Sequence, residues 1–421
     1  MINLRRLPEM YDVCVIGGGA AGLMAGGAAA KRGLKTVILE RNEKVGRKVM
    51  ITGKGRCNVT NNCTLLNDLI LNIPVNGRFL FSAFSKFMPA DTMDFFENMG
   101  VPLKVERGDR VFPESDRASD IVDALRKFAL SSGAEVVTGR AKDLIVENDS
   151  VTGVKIYDDE IINAKSVIIA TGGKSYPLTG STGDGYILAE KTGHTIVEPK
   201  PSLVPLEVHE GWCSDVMGLS LRNISIRIED AEKYKCVYKD FGEMLFTHFG
   251  VSGPVILSAS SHMRDIKKGK YELYIDLKPA LDEDKLDKRL QRDFLENSNK
   301  NFINALDSLL PKKLVPVIVK LSGIRPSQKV NQITREERGN LVHLLKNLKL
   351  TINGFRPIDE AIITSGGVSV KDINPKNMMS KKVNNLFFAG EVIDVDGYTG
   401  GFNLQIAFST GMLAGNSVLA D

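Results

Sequence analysis

Cysteine is scarce and scattered in this chain. Cys14, Cys57, Cys63, Cys213 and Cys236 are the whole complement of 421 residues, odd in number and without a C-x-x-C pair. That argues against a disulfide framework, and the lack of histidines at zinc-finger spacing argues against a structural zinc. An excess of charge of one sign is also missing. Lys and Arg number 55 against 51 Asp and Glu, a net charge of +4, which makes no case for nucleic acid or an anionic membrane as partner. Nor is there a recognisable secretory leader or membrane span. Met1 to Met10 holds two arginines with no apolar core and cleavage site after it, and the apolar run Val13 to Ala30 is broken by glycines. The expectation is a cytoplasmic protein acting on small molecules, with its oligomeric state left open.

What is present is an ordinary globular composition, 43% hydrophobic and 25% charged. At about 150 residues per domain the chain is long enough for roughly three structural units. Tyr11 to Ile16 is a short apolar run ending in glycines, the alanine-rich stretch Ala20 to Arg32 stops at Gly33, and Thr36 to Leu39 is a second apolar run ending at Glu40. Strand, glycine turn, helix and strand make one βαβ unit of a parallel sheet, so the fold class is α/β.

Helical spacing returns at Asp91 to Met99 and at Asp116 to Ser131. Asp143 to Glu147, Val151 to Tyr157 and Ile161 to Ile162 then read as a β-meander, and Ser166 to Ala170 as a further buried strand. After Glu198 three prolines change the texture, and alternating runs at Leu219 to Ile228, Tyr234 to Tyr238 and Tyr271 to Leu277 suggest a small β-barrel. Between 281 and 348 the pattern is helical. Leu286, Leu290 and Phe294 share a face, Phe302 to Leu310 follows, and Thr334-Arg335-Glu336-Glu337 is a capping box opening a Leu341, Leu344, Leu345, Leu348 face. The charge run Asp282 to Arg292 reads as a solvated helix face. Asn385 to Ala389 is again an apolar strand, followed by a glycine-rich loop and a helix from about Asn403 to Leu419. The expected organisation is a first domain part at 1–196, an insert at 197–357 with a helical subdomain at 281–348, and a second domain part at 358–421.

Gly17-Gly18-Gly19-Ala20-Ala21-Gly22 fits G-x-G-x-x-G, and its place between strand and helix gives the motif a mechanism. Gly17 permits the turn, Gly19 lets a pyrophosphate approach the backbone, Gly22 allows close helix packing, and the helix N-terminus offers unpaired N–H groups. Glu40, eighteen residues after Gly22, stands where a carboxylate accepts from a ribose hydroxyl. Nicotinamide and flavin dinucleotides share this half. Ile168 to Gly173, containing Thr171, Gly172 and Gly173, and Phe387 to Glu391, containing Gly390 and Glu391, resemble later segments of FAD oxidoreductases and favour noncovalent FAD. A second G-x-G-x-x-G after a strand is missing, so NADH or NADPH is expected only as a transient co-substrate.

Longer strings carry a more specific resemblance. Gly46-Arg47-Lys48, Thr52 to Asn61, Gly180 to Tyr186, Leu245 to Pro254 and Gly390 to Asn403 resemble the BaiN/YhiN-like flavoproteins, also described as aminoacetone-oxidase-family FAD-binding enzymes, over nearly the whole length. Thr52 and Lys54 stand where that family often has Ser and Gly, and the segment ahead of Met10 is a further departure. The resemblance implies a Rossmann-like FAD domain of the two-dinucleotide-binding superfamily, interrupted by a β-barrel and a helical subdomain. It also implies an FAD-dependent oxidoreductase exchanging hydride with an organic molecule, with NAD(P)H or oxygen turning the flavin over. Amine oxidation and carbon–carbon double-bond reduction both stay open. A flavin-dependent RNA-modifying enzyme and a non-catalytic FAD-binding redox sensor are the rival readings.

The candidate cofactor residues are Gly17, Gly19, Ala20, Ala21, Gly22, Glu40, Arg41, Arg47, Lys48, Gly53, Gly55, Arg56, Cys57, Asn58, Thr171, Gly172, Gly173, Asp184, Gly390, Glu391, Gly400, Gly401, Phe402 and Asn403. Arg47 and Lys48 are pyrophosphate neutralisers or solvated charges, and Asp184 is a cofactor contact or a cap for the helix Tyr186 to Lys191. Gly400 to Phe402 open the last helix, whose dipole would favour negative charge on a reduced flavin. His248 is the candidate proton-transfer residue or a hydrogen-bonded structural histidine. Cys57 beside Arg56 is an activated thiol or a buried structural one. No Ser/His/Asp or metal cluster is evident.

Overall fold

A computed structural model describes residues 10–263 and 265–419. The segment before Met10, read above for a leader, lies outside them. The chain divides into two compact units, Met1–Ser202 with Pro357–Asp421, and Leu203–Arg356.

The first unit is built on a seven-stranded sheet. Its parallel core runs Glu135–Thr138, Thr36–Glu40, Tyr11–Ile16, Ile161–Ile169 and Leu386–Phe388. Ile161–Ile169 is one continuous strand, where the sequence suggested Ile161 to Ile162 and Ser166 to Ala170 separately. Its beginning pairs antiparallel with Ser150–Ile156, and its end lies parallel between Tyr11–Ile16 and Leu386–Phe388. The first half alternates exposed and buried residues while the second is buried throughout, so one strand carries two patterns. Ala141–Glu147 completes the meander.

The helix Ala20–Lys31 is buried along nearly all its length, which accounts for its alanines and glycines. It packs on the last helix, Phe402–Ser417. A Cβ on Gly411 would meet the Ala21 carbonyl oxygen at 2.5 Å, and one on Gly415 the Ala25 carbonyl oxygen at 2.3 Å. Small residues let these two backbones touch and place both helix N-termini on the sheet edge where the parallel strands end.

The second unit contains a closed six-stranded barrel whose neighbouring strands are antiparallel. Its long hairpin is Ser220–Asp230 with Lys235–Phe246. Helices Glu283–Glu296, Val315–Ser322 and Arg335–Lys346 form the helical part. The capping box at Thr334 is present, with Thr334 accepting from the Glu337 N–H and Glu337 accepting from the Thr334 N–H. Phe302 to Leu310 is not an α-helix. Only Phe302–Asn304 turns as a 3₁₀ segment, because the Phe302 N–H donates outward to Gln328 and Asp307, Ser308 and Pro311 favour turns.

Candidate functional site

The first strand ends at Gly17, whose φ of +106° suits glycine and whose Cβ would strike the Ala170 carbonyl oxygen at 2.6 Å. A Cβ on Gly22 would strike the Gly17 carbonyl oxygen at 1.8 Å, which brings helix against turn. Gly19 differs from both, for a Cβ there meets nothing within 4 Å. It borders a cleft lined also by Gly17, Ala20, Ala21, Glu40, Arg41, Arg47, Lys48, Thr171, Gly172, Asp184, Gly390, Glu391 and Asn403. Residues widely separated in sequence thus converge along one groove in the first unit.

Its polar groups are arranged by one another. The buried Glu40 carboxylate accepts from the Gly18 N–H at 2.8 Å and from the Asn42 N–H and side-chain amide at 2.8 and 2.7 Å. Arg47 donates to Asn42 Oδ1 at 2.9 Å. Lys48 points its ammonium at Glu391 Oε2, 2.7 Å away, and at Ser175 Oγ, also 2.7 Å. The Thr364 N–H gives Glu391 a further donor at 2.9 Å.

Asp184 is not a helix cap. Gly183 is the N-cap, and Asp184 accepts a bidentate pair from Arg140 at 2.7 and 2.9 Å while facing Arg41 at 3.3 Å. Burial pushes this carboxyl up, but the bonds from Arg140 and Thr182 and the charge of Arg41 outweigh it and hold it below the usual range. Arg140, stacked on Tyr157 at 4.6 Å, and Asn42 both line the cleft and are absent from the sequence-derived set. Asn42 directly follows Glu40 and Arg41, which was a usable signal. Arg140 depends on a partner 44 positions away and gave none.

The other sequence-derived residues are not among those that line the cleft. Gly53, Gly55, Arg56, Cys57 and Asn58 form a tight loop in which Gly53, Lys54, Gly55 and Cys57 all have positive φ. Arg56 closes on Glu106 and Asp116 and stacks on Phe112, which fastens the loop to the small sheet Leu103–Glu106, Arg110–Pro113. Cys57 is fully buried and its thiol is pushed up to about 12 by burial, the character of an inert thiol. Asn58, with its amide oriented by its neighbours, accepts from the Gly401 N–H at 3.0 Å and donates to the Thr60 and Val111 carbonyls. Gly401 is the N-cap of the Phe402–Ser417 helix at φ +101°, Gly400 precedes it, and Phe402 is buried behind it. Gly173 is packed against Thr364. Asp394 is largely buried and pushed up by that burial, partly offset by a bond from Asn76. His248 belongs to the second unit, exposed on the turn after Lys235–Phe246, with its ring edge-on to Phe249 at 4.9 Å.

These residues suit a flavin dinucleotide. Gly19 offers bare backbone where a pyrophosphate needs to approach, and Glu40 supplies a carboxylate at the end of the second strand. Thr171 contributes a buried hydroxyl with no partner among the described residues. The HI0933-like protein Rossmann domain matches residues 11–417. The chain belongs to this family. It is 31% identical over 417 residues to a 3-dehydro-bile acid Δ(4,6)-reductase of Clostridium scindens, covering 97% of this chain and 99% of that one. It is 29% identical over 412 residues to a ribosomal RNA dihydrouridine synthase of Escherichia coli, covering 98% and 99%. A solved 3-ketosteroid-Δ4-(5α)-dehydrogenase of Rhodococcus jostii shares the fold, with a TM-score of 0.54, 14% identity and coverage of 99% and 98%. So does a flavocytochrome c3 fumarate reductase, at 0.53, 19% identity and coverage of 98% and 79%.

This family member is an FAD-dependent oxidoreductase. The expectation that nucleic acid has no part is left unsupported, because one nearly full-length relative is named for ribosomal RNA. Among the described residues no helix is long and apolar enough to cross a membrane.

Proposed function

We infer that this enzyme reduces a carbon–carbon double bond conjugated to a carbonyl, with FAD in the cleft and NADH or NADPH as electron donor. The observation carrying the reading is the cleft itself, open at Gly19 and bordered by Glu40, Lys48 and Glu391. The choice among flavin chemistries comes from two kinds of nearly full-length relative. A 3-dehydro-bile acid Δ(4,6)-reductase and a dihydrouridine synthase both add hydrogen to a ring double bond conjugated to a carbonyl.

The turn Gly17 to Ala21 and the N-terminus of Ala20–Lys31 would hold the pyrophosphate, with Glu40 at the adenosine ribose and Arg41 and Arg140 toward the adenine end. Glu391, kept in place by Lys48, Ser175 and Thr364, would accept from a ribitol hydroxyl. When bound, FAD supplies hydride exchange at its flavin ring. The conjugated substrate gains a hydride at its β-carbon and a proton at its α-carbon, and the electron pair of the broken π bond passes toward the carbonyl oxygen. The chain's part is to orient both molecules and to stabilise charge. The first-turn N–H groups of Phe402–Ser417 have no intrahelical partner, and the Asn58 bond to Gly401 fixes their direction.

A uracil base carried on RNA is the second reading of the substrate, favoured by the relative named for ribosomal RNA. The test is anaerobic. NADH, then NADPH, is added to the yellow protein until the visible band bleaches, and a 3-oxo-4,6-diene steroid acid or a uridine-containing RNA follows. Return of the band with a product carrying two added hydrogens is the expected result. A flavin that amines reduce, and that only oxygen reoxidises, would replace this reading with an amine oxidase.

A further inference from the structure

The helix Phe402–Ser417 walls the cleft with Asn403, Leu404, Ile406 and Ala407. Gln405, in the middle of that run, does not line the cleft and is fully buried. Its side chain makes every hydrogen bond open to it. Oε1 accepts from Thr60 Oγ1 at 2.6 Å and from Thr92 Oγ1 at 2.8 Å, while Nε2 donates to the Phe87 carbonyl at 3.0 Å and to Ser409 Oγ at 2.9 Å. The Phe87 carbonyl fixes the orientation of the amide, because a flipped one would set oxygen against oxygen there. Ser409 donates to the same carbonyl at 2.7 Å. Thr60, Thr92 and Ser409 are as buried as Gln405, so bulk water reaches no side chain of the network.

These bonds tie the cleft wall to two other parts of the first unit. Thr60 belongs to the short strand Thr60–Asn61, and Thr92 to the helix Pro89–Asn98, which Phe87 precedes. The strand side grips the start of the wall twice more. Asn58 accepts from the Gly401 N–H at 3.0 Å, and Asn61 Nδ2 donates to the Gly400 carbonyl at 3.2 Å. The approach is close, since a Cβ on Gly401 would meet the Thr60 carbonyl oxygen at 2.3 Å. Apolar groups of the same shape would stabilise the fold about as well, because each of these bonds replaces one made to water in the unfolded chain. What the polar network adds is direction, for its bonds weaken as soon as the helix slides or tilts.

We propose that Gln405 is a positioning residue for the flavin. By anchoring the cleft wall to Thr60, Thr92 and Phe87 it holds the first-turn N–H groups of Phe402–Ser417 where they stabilise negative charge on the reduced cofactor. The inference rests on the reading above only for FAD in the cleft, and not for the choice of substrate. The partial charge of a helix end acts within about one turn, so a small displacement of the wall weakens its hold on added charge. Loss of the network therefore leaves a flavin that is harder to reduce in a protein that still folds.

The experiment reduces the full-length, FAD-loaded protein slowly and anaerobically beside a reference dye, and reads the ratio of reduced to oxidised flavin at equal dye reduction. In Gln405→Met that ratio falls at least about threefold and the melting temperature drops. Thr60→Val/Thr92→Val/Gln405→Met makes the cluster apolar while Phe87 keeps its bond from Ser409, so most of the melting temperature returns and the ratio stays low. Thr60→Val alone removes one of the two donors to Oε1, and it carries the same measurement with a smaller fall should Gln405→Met hold no flavin. Ser380→Ala is the control. It breaks a buried contact to His194 at 2.7 Å away from the cleft lining, and it lowers the melting temperature without moving the ratio. A wild-type ratio in Gln405→Met and Thr60→Val, or one that recovers together with stability in the triple variant, makes the network structural only and overturns the proposal. No substrate is present, so a failed dienone or RNA reduction counts against the reading above and an unmoved ratio against this one.

Discussion

A side chain at Gly19 would project into the cleft without touching the protein, whereas at Gly22 it would strike the Gly17 carbonyl oxygen at 1.8 Å. The two substitutions therefore separate binding from folding. Gly19→Val is expected to purify with its melting behaviour within about 0.5 kcal/mol of wild type but without flavin, and Gly22→Val to lose about 3 kcal/mol or more of stability. Flavin absorbance against circular dichroism distinguishes them. Lys48 and Glu391 make a second residue-scale pair. Lys48→Met leaves a half-buried carboxylate without its cation, a cost of about 1–3 kcal/mol, and weakens FAD retention. Lys48→Met/Glu391→Gln should recover most of the lost stability but not the retention, read by thermal melting and flavin release. Asp394 gives a pH dependence. Its carboxyl is raised by burial in the folded state, so its ionisation opposes folding as pH rises through the unfolded value near 4 and up to the folded one. Asp394→Asn should therefore raise the melting temperature at pH 7 and leave it nearly unchanged near pH 3. The glycine fingerprint and Glu40 were legible because their chemistry is local. The Lys48–Glu391 pair spans 343 positions, and only folding brings its members together.

The helices that open onto the cleft are held by contacts without side chains. Gly415 lets the Phe402–Ser417 helix rest on the Ala25 carbonyl, so Gly415→Val should displace that helix at a cost of about 3 kcal/mol and loosen FAD with it. A lowered urea midpoint together with faster flavin loss is the expected outcome. Elements read from the sequence fared according to how far one periodicity ruled them. Ala20–Lys31 and Arg335–Lys346 carried their own stop or start signals at Gly33 and Thr334. Ile161–Ile169 changes environment half-way, which hid its continuity. Val315–Ser322 went unread because its valines and isoleucine favour strand, while Pro316 near its start and burial of its apolar face make it a helix.

At the scale of the molecule, composition and the change of texture after Glu198 pointed to an α/β body with an inserted barrel, and both architectures are present. Net charge is an average, and +4 over the whole chain includes an acid-free stretch from Ser308 to Arg335. The groove of the first unit unites residues from Ile16 to Ala407, so almost the full length of that unit must fold before a cofactor can be held. The most direct measurement is the visible spectrum of the purified protein, with the released cofactor identified by mass. A yellow protein yielding one FAD per chain, and a Gly19→Val variant yielding none, is what the cleft requires. A colourless protein that takes up no FAD on reconstitution, or a Gly19→Val variant that stays fully yellow, would contradict it.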